Sequence, residues 1–457
     1  MVNHSFDIVV LGAGSGGYAA ALRAAELGKS VALIERDKVG GTCLHRGCIP
    51  TKALLHAAEV ADTVREAGTY GVSAELGGVD AAAVARYREG IVAKKHKGLE
   101  GLIGKRGITT VHGEGRLQSD RTVAVGDDVY TGTDVILATG SYSRSLPGLE
   151  IGGRILTSEG ALALEEVPSS VLILGGGVIG VEFASVWRSF GAEVTIVEAL
   201  DHLVPNEDLA VSKGLERAFR RRGIAQKLGV RFASATQTDD AVTVTLEDGT
   251  ELSADYLLVA VGRGPVTSDL GFEEAGVNLE RGFVVVDEDL RTTAEHVWAV
   301  GDITPGLQLA HRGFQQGIAV AERISGLRPV SIPDVHVPKV TYSHPEVASI
   351  GLTQEQAEAA HGADGVTAYE FNLAGNAKSE IIGTGGFVKV IRQVDGPVIG
   401  VHLLGDRVGE LITEGQLAVV WEAFPEDLAP LIHAHPTQSE ALGEAFLALA
   451  GKPLHAL

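Results

Sequence analysis

Only two cysteines occur in the 457 residues of the chain, Cys43 and Cys48. So few thiols exclude a disulfide-stapled framework, and no further soft ligands lie close in sequence to build a structural metal centre. A catalytic or redox role is therefore expected ahead of a structural one. Basic residues are also short, 38 against 59 acidic, for a net charge of −21. That balance argues against nucleic acid as a partner, which selects basic surfaces. No charge-free apolar run is long enough to span a bilayer, so no membrane association is expected. The nearest candidate, "VLILGGGVIGVEFASVW" (171–187), carries Glu182 and three successive glycines. The N-terminus enters the strand-like "FDIVVLG" without a basic region or cleavage site. The expected location is therefore the cytoplasm. Proline is scarce at 15 residues, whereas glycine reaches 59. The glycines fall at strand–turn–helix junctions, which marks tight turns rather than disorder. The length suits two to four domains.

What the chain does have is a repeat. Residues 7–37, "DIVVLGAGSGGYAAALRAAELGKSVALIERD", match 171–200, "VLILGGGVIGVEFASVWRSFGAEVTIVEAL". Each reads as a buried strand, a G-x-G-x-x-G turn, an amphipathic helix, a second strand and an acid. Gly12, Gly14, Gly17, Gly28 and Glu35 lie 163 residues before Gly175, Gly177, Gly180, Gly191 and Glu198. In such a motif the first glycine makes the turn and the second admits a pyrophosphate to the backbone. The third lets helix pack on strand, and the acid accepts a ribose hydroxyl. The helix N-terminus offers free N–H groups and a positive dipole to the phosphates. A lone G-x-G-x-x-G is compatible with a plain βα turn; the repeated strand, helix and acid context predicts two dinucleotide sites.

Two dinucleotides in one chain suggest an electron relay between a resident and an exchangeable cofactor. "TTAEHVWAVGD" (292–302) reads as a strand ending in Gly301–Asp302, followed by the helical "LQLAHRGFQQGIAVAERISG". Asp302 there could hold the polyol chain of a resident flavin, or could simply cap the helix.

At this point the chain resembles the flavin-dependent pyridine nucleotide–disulfide oxidoreductases, essentially end to end, and within them the dihydrolipoamide dehydrogenase branch. The resemblance rests on Gly12–Gly17, "GGTCLHRGCIPTK" (40–52), "ATGS" (138–141), "GGGVIGVE" (175–182) and "AVGR" (260–263). It continues in "AVGD" (299–302), "LAH" (309–311), "HPEVASIGLT" (344–353) and "HAHPTQSE" (433–440). It implies an α/β fold with two Rossmann-like domains and a C-terminal α+β interface domain. The implied regions are an FAD domain at 1–148, an NAD domain at 149–269, a central segment completing the FAD domain at 270–337, and a dimerisation domain at 338–457. The last boundary falls in the proline-rich "RPVSIPDVHVPK" (328–339).

The resemblance also implies roles for single residues. Cys48 would lie against the flavin, and Cys43 would exchange with the substrate disulfide. Were the two bridged, 43–48 could not be regular helix. Residues five apart on an α-helix have Cα atoms roughly 8.7 Å apart, and a disulfide needs under about 7 Å; Gly47 is placed to relieve the distortion. Lys52 would lie near the reactive flavin nitrogen, paired with Glu182, although a lysine on a helix usually faces solvent. His435 would be the base that deprotonates a thiol, oriented by Glu440. Glu440 has a competing explanation, because Thr437-x-x-Glu440 reads as a capping box opening the last helix. His433 could be a metal ligand but lacks further partners in sequence, so no metal is expected.

The expected FAD residues are Gly12, Gly14, Gly17, Glu35, Gly41, Thr42, Lys52, Gly115, Thr139, Gly140, Asp302 and Ala310. The expected NAD residues are Gly175, Gly177, Val178, Gly180, Glu182, Glu198 and Gly262. No arginine follows Glu198 in "ALDHLVP", which favours NAD over NADP. Val178 stands where glutathione reductases carry a gating tyrosine, and the second cysteine pair of mercuric reductases is missing. A flavin-fold docking scaffold is the alternative from another class, set against the intact Cys43, Cys48 and His435. Two departures from the family pattern are His45–Arg46 and Thr51; Arg46 could favour a thiolate, but solvent is its expected direction. The implied partners are a second copy of the chain, sharing active sites, and a lipoylated protein of a 2-oxo acid dehydrogenase or glycine cleavage complex.

Overall fold

A computed structural model describes residues 2–119 and 121–455. Its first sheet is built from β1 (Asn3–Leu11), β2 (Val31–Glu35), β3 (Thr109–His112), β4 (Gly115–Leu117), β5 (Thr122–Val125) and β6 (Asp128–Leu137), in the order β3-β2-β1-β6-β5-β4. The β3-β2-β1-β6 run is parallel, and strand Val297–Ala299 joins β6 in parallel from far along the chain. Ile8, Val9 and Val10 are fully buried, as the unbroken apolar run of a two-sided parallel strand requires.

Four helices belong to this part: α1 (Ser15–Glu26), α2 (Gly41–Arg46), α3 (Cys48–Glu66) and α4 (Ala81–Lys105). After β7 (Ser141–Ser143), the second sheet is formed by β8 (Ile155–Leu156), β9 (Ser170–Leu174), β10 (Glu193–Glu198), β11 (Ala225–Leu228) and Tyr256–Val259. All of its pairings are parallel. Three helices accompany it, α5 (Ser158–Leu162), α6 (Val178–Phe190) and α7 (Leu209–Arg221). β7 pairs antiparallel with Arg263–Pro265, so the way into this unit and the way out run side by side.

The repeat seen in sequence is a repeat in space. A Cβ built on Gly12 would sit 2.3 Å from the Ala138 carbonyl oxygen, and one on Gly175 would sit 2.3 Å from that of Ala260. On Gly17 it would lie 1.8 Å from Gly12 O, and on Gly180 2.0 Å from Gly175 O. Both first glycines also have positive φ, +101° and +107°. Each loop is thus packed backbone against backbone, and no side chain fits there.

α8 (Ala310–Ile324) crosses α1 just as closely. A Cβ on Gly317 would lie 2.2 Å from Gly16 O. This helix starts at Ala310, three residues later than the sequence suggested; Leu307–Leu309 remain outside it.

The C-terminal sheet is antiparallel, ordered Lys339–Thr341, Glu346–Gly351, Val398–Gly405, Phe387–Gln393, Val366–Asn372. It packs against the second unit: Val347, Phe387 and Leu404 share one apolar core with Phe183, Leu215 and Phe219, and Leu54 of α3 joins them. A polar seam reinforces the contact. Lys389 Nζ lies 2.7 Å from Asp208 Oδ1, and Lys339 Nζ lies 3.1 Å from Glu207 Oε1. No helix among the described residues is long and apolar enough to cross a membrane.

Candidate active site

One cavity of about 1610 Å³ is lined by residues from all three sheets' units. It gathers Gly14, Thr42, Cys43, Cys48, Lys52, Gly140, Asp302 and Ala310 with Gly175, Gly177, Val178, Glu182, Glu198 and Gly262. Both glycine loops therefore open into the space that holds the two sulfurs.

Each loop ends in a bare helix N-terminus. α1 and α6 have Gly14 and Gly177 as N-caps, with no side-chain cap and no acid in the first turn. A Cβ built on either glycine would meet nothing within 4 Å. Uncapped N–H groups on an open glycine are what a pyrophosphate needs, so the residues present fit two dinucleotides. The acids do more than the motif suggested. Glu35 accepts N–H bonds from Ala13 (2.8 Å) and Asp37 (2.9 Å). Glu198 accepts them from the equivalent Gly176 (2.6 Å) and Leu200 (2.8 Å). Each carboxylate ties its own glycine loop to the end of the second strand and keeps lone pairs for a ribose diol. Burial pushes the Glu35 carboxyl up, against the Ala13 N–H bond and the neighbouring Arg36.

The cysteine segment is two helices, not one. α2 ends at Arg46 and α3 starts at Cys48, and the break is Gly47, at φ −142° and ψ −112°. The expected departure from regular helix between the cysteines is present, and both are free thiols in this structure. α2 is anchored beside the first glycine loop: Gly40 N–H donates to Ala13 O at 2.8 Å, and a Cβ on Gly41 would lie 2.7 Å from Gly14 Cα.

The two thiols differ sharply. Cys48 is pulled down, first by the hydrogen bond from Cys43 and then, against burial, by Lys52. Cys43 is pushed up by that same hydrogen bond and by burial. Tyr18, half-buried on α1, is pushed up to about 12 by burial and then by the two sulfurs.

Lys52 does not face bulk solvent. One turn along α3 from Cys48, its Nζ lies 2.8 Å from both Glu182 oxygens. Glu182, on α6, is only 3% exposed. Burial opposes the lysine charge, but Glu182 outweighs it and the Lys52 pKa is raised. Glu182 also accepts the Tyr342 N–H at 2.9 Å, and the Tyr342 ring lies 4.9 Å from Lys52 Nζ.

Asp302 lines the cavity in a single 3₁₀ turn, Gly301–Ile303, and caps no helix; its Oδ2 accepts the Ser141 hydroxyl at 2.5 Å. Arg263 holds Ser141 in turn, through Nε to Oγ (2.7 Å) and Nη2 to the carbonyl (2.8 Å). Thr139 donates its hydroxyl to Val266 O at 2.5 Å, and Gly140 O accepts the Val266 N–H at 2.9 Å, so this pair fixes the loop beneath the cavity.

Several expected residues lie elsewhere. Gly115 is turned into the core, where a Cβ would meet Leu11 and Val123 at 2.6 and 3.0 Å, leaving only its backbone for a ligand. Arg46 is exposed at the cavity rim, as expected, and pairs there with Asp37. His433 Nε2 lies 2.7 Å from Glu414 Oε1, and no group of three or more metal-ligating side chains occurs among the described residues.

His435 is outside the cavity of its own chain, with its side chain 74% exposed. Its Nδ1 lies 2.8 Å from Glu440 Oε1, so Nε2 is the nitrogen left available. The capping box expected at Thr437–Glu440 is only half formed. Glu440 Oε2 accepts the Thr437 N–H (2.8 Å), but the Thr437 hydroxyl is taken by Ala434 O (2.7 Å), and the helix begins at Glu440 itself. Glu440 thus orients His435 with one oxygen and closes the turn with the other.

Comparison with known proteins agrees with this arrangement. The family described as "Pyridine nucleotide-disulphide oxidoreductase" matches residues 6–317, and its dimerisation domain matches 337–446. A dihydrolipoyl dehydrogenase of Bacillus subtilis is 40% identical, over 98% of this chain and 99% of its own. One from Geobacillus stearothermophilus is 38% identical, over 98% and 97%. The crystal structure of LpdA from Mycobacterium tuberculosis superposes with a TM-score of 0.90 at 28% identity, covering 98% of this chain and 100% of that one.

Proposed function

Because the chain belongs to the pyridine nucleotide–disulphide oxidoreductases, we propose that it oxidises protein-bound dihydrolipoyl groups with NAD+, as a dihydrolipoyl dehydrogenase carrying FAD. The observation that carries this reading is the shared cavity: both uncapped glycine loops open onto Cys43 and Cys48, with the Lys52–Glu182 pair one turn away.

In the reaction, a dihydrolipoyl thiolate attacks the Cys43–Cys48 disulfide at Cys43 and releases Cys48 as thiolate. The second lipoyl thiolate then displaces Cys43, closing the lipoyl disulfide and leaving two reduced cysteines and two electrons on the protein. Flavin, when bound, supplies the two-electron exchange between that dithiol and the nicotinamide.

The chain's own residues set the stage for this. The Lys52 charge, which favours the Cys48 thiolate, makes that sulfur the better leaving group. Lys52 holds a positive charge beside it, and Glu182 keeps that lysine in place. Glu35 and Glu198 accept ribose hydroxyls, and a second negative charge at the 2′ position would be repelled by Glu198. Asp302, fixed by Ser141 and Arg263, holds the polyol chain. Val178, small and 42% exposed at the mouth of the second loop, leaves the nicotinamide side open.

A thiol in this cavity still needs a base. His435 stands outside, exposed, oriented by Glu440 and with Nε2 free. We therefore read the protein as a homodimer in which His435 of the partner subunit takes the proton from the substrate thiol. The four regions 1–148, 149–269, 270–337 and 338–457 are proposed as its FAD, NAD, central and interface parts, and the cytoplasm as its location.

Anaerobic turnover of dihydrolipoamide with NAD+, followed by NADH absorbance, tests this function. Turnover in the parent and its loss in Cys48→Ser are expected; a parent that contains FAD but turns over neither dihydrolipoamide nor a lipoylated protein would refute it.

A further inference from the structure

Lys52 and Glu182 come from different sheets' units, yet one residue of the C-terminal unit touches both. Tyr342 donates its backbone N–H to Glu182 Oε1 at 2.9 Å and lays its ring 4.9 Å from the Lys52 ammonium. Its neighbours Thr341 and Ser343 are each 2% exposed, so the backbone there is fixed. Two residues on, His344 N–H donates to Ser185 Oγ at 3.0 Å, a further anchor to α6. The ring itself stands at the cavity.

A cation over an aromatic face is held by the ring's negative quadrupole, and more strongly where water is excluded. The ring also covers one side of the ammonium, so less solvent screens Lys52 from Cys48. Burial raises the tyrosine's own pKa; Lys52 opposes that rise, while the carboxyls of Glu346 and Glu410 add to it. The phenol therefore stays neutral and adds no charge of its own.

We propose that Tyr342 is a positioning residue for the redox site: it holds the Lys52–Glu182 pair against Cys48, and thereby keeps the Cys48 sulfur as thiolate when the dithiol is reduced. The inference rests on the function proposed above. It assigns the role to the ring, with the hydroxyl dispensable.

The test uses the FAD-loaded, two-electron-reduced protein and follows the long-wavelength absorbance of a thiolate against the flavin as pH is varied. In Tyr342→Leu the midpoint of that absorbance should rise by about one pH unit, a tenfold fall in the thiolate-to-thiol ratio at fixed pH. Tyr342→Phe, which keeps the ring, should titrate with the parent. In a Lys52→Met background Tyr342→Leu should shift nothing further, because no cation is left to hold; a merely structural role would still move it. Should Tyr342→Leu fail to retain flavin, Tyr342→Met replaces it at closer volume. A parent-like midpoint in the ringless variant, or an equal shift in Tyr342→Phe, would overturn the role of Tyr342 alone. Absence of the absorbance from the parent would bring down the assignment of Cys48 to the flavin side, and this inference with it.

Discussion

Lys52 Nζ sits 2.8 Å from both carboxylate oxygens of Glu182, joining the helix that carries Cys48 to the helix that opens the second glycine loop. Glu182 is almost wholly buried, whereas Lys52 keeps about a third of its side chain exposed (32%). Removing the lysine alone strands a buried carboxylate. Lys52→Met should therefore lower stability by about 2 kcal/mol, discounted from a fully buried pair for that exposure. The double variant Lys52→Met/Glu182→Gln should recover most of the loss. Denaturant midpoints of the three proteins check this; a double variant less stable than Lys52→Met would contradict it.

The pair also shows what a sequence can and cannot disclose. The glycine loops were legible because their constraint is local: backbone must touch backbone within a few residues, and only glycine allows it. The break at Gly47 was legible from another local constraint, the Cα separation that a bridge between Cys43 and Cys48 would need. Lys52 and Glu182 are 130 residues apart, and composition or periodicity could not join them; the family resemblance could. Tyr342 was missed, although it directly precedes the Ser-His-Pro run, because its contribution is a main-chain N–H and a ring face that only tertiary packing aims. Thr437–Glu440 was half misread: Glu440 holds both His435 and the Thr437 N–H, but the helix starts at Glu440 with Ser439 as its N-cap, so Thr437 does not cap it.

Nicotinamide preference should follow Glu198. Because this carboxylate also holds the Gly176 and Leu200 N–H groups, Glu198→Ala removes both the repulsion of a 2′-phosphate and a tie of the loop. Glu198→Gln keeps an acceptor and removes the charge. We expect a strong preference for NAD+ in the parent, narrowed about tenfold or more in Glu198→Gln with NAD+ kcat/KM retained better than in Glu198→Ala. Equal kcat/KM for NADP+ and NAD+ in the parent would contradict the role.

Acid should act through His402. This histidine is fully buried in the C-terminal sheet, with Nε2 2.9 Å from Leu352 O, and burial pulls its pKa down to about 4. The unfolded chain binds that proton near pH 6.5, so stability is present above about 6.5 and is lost as pH falls toward about 4, about 3 kcal/mol in all. Glu346, pushed up to about 7 chiefly by burial, works in the opposite sense, losing stability as pH rises toward 7. The two slopes overlap, so the difference between parent and variant is the measure. His402→Gln should lose less stability than the parent between pH 6.5 and 4; parallel pH profiles would contradict the assignment.

The shared site predicts complementation. Cys43→Ser and His435→Gln homodimers should each be nearly inactive. Co-refolded in equal amounts, half of the dimers are mixed, each with one site carrying both defects and one carrying neither. About a quarter of parental activity should return under random pairing in a two-fold dimer. No recovery, with mixed dimers shown to have formed, would place His435 outside the partner's site.

The central claim is that Cys43 and Cys48 cycle between disulfide and dithiol under the control of the nicotinamide. They are the chain's only two cysteines, so a thiol count reads the cycle directly. The air-oxidised holoprotein is quenched in denaturant and titrated for thiols, before and after anaerobic addition of one equivalent of NADH. The account predicts a rise from none to two thiols per chain. An unchanged count, with NADH consumed, would contradict it.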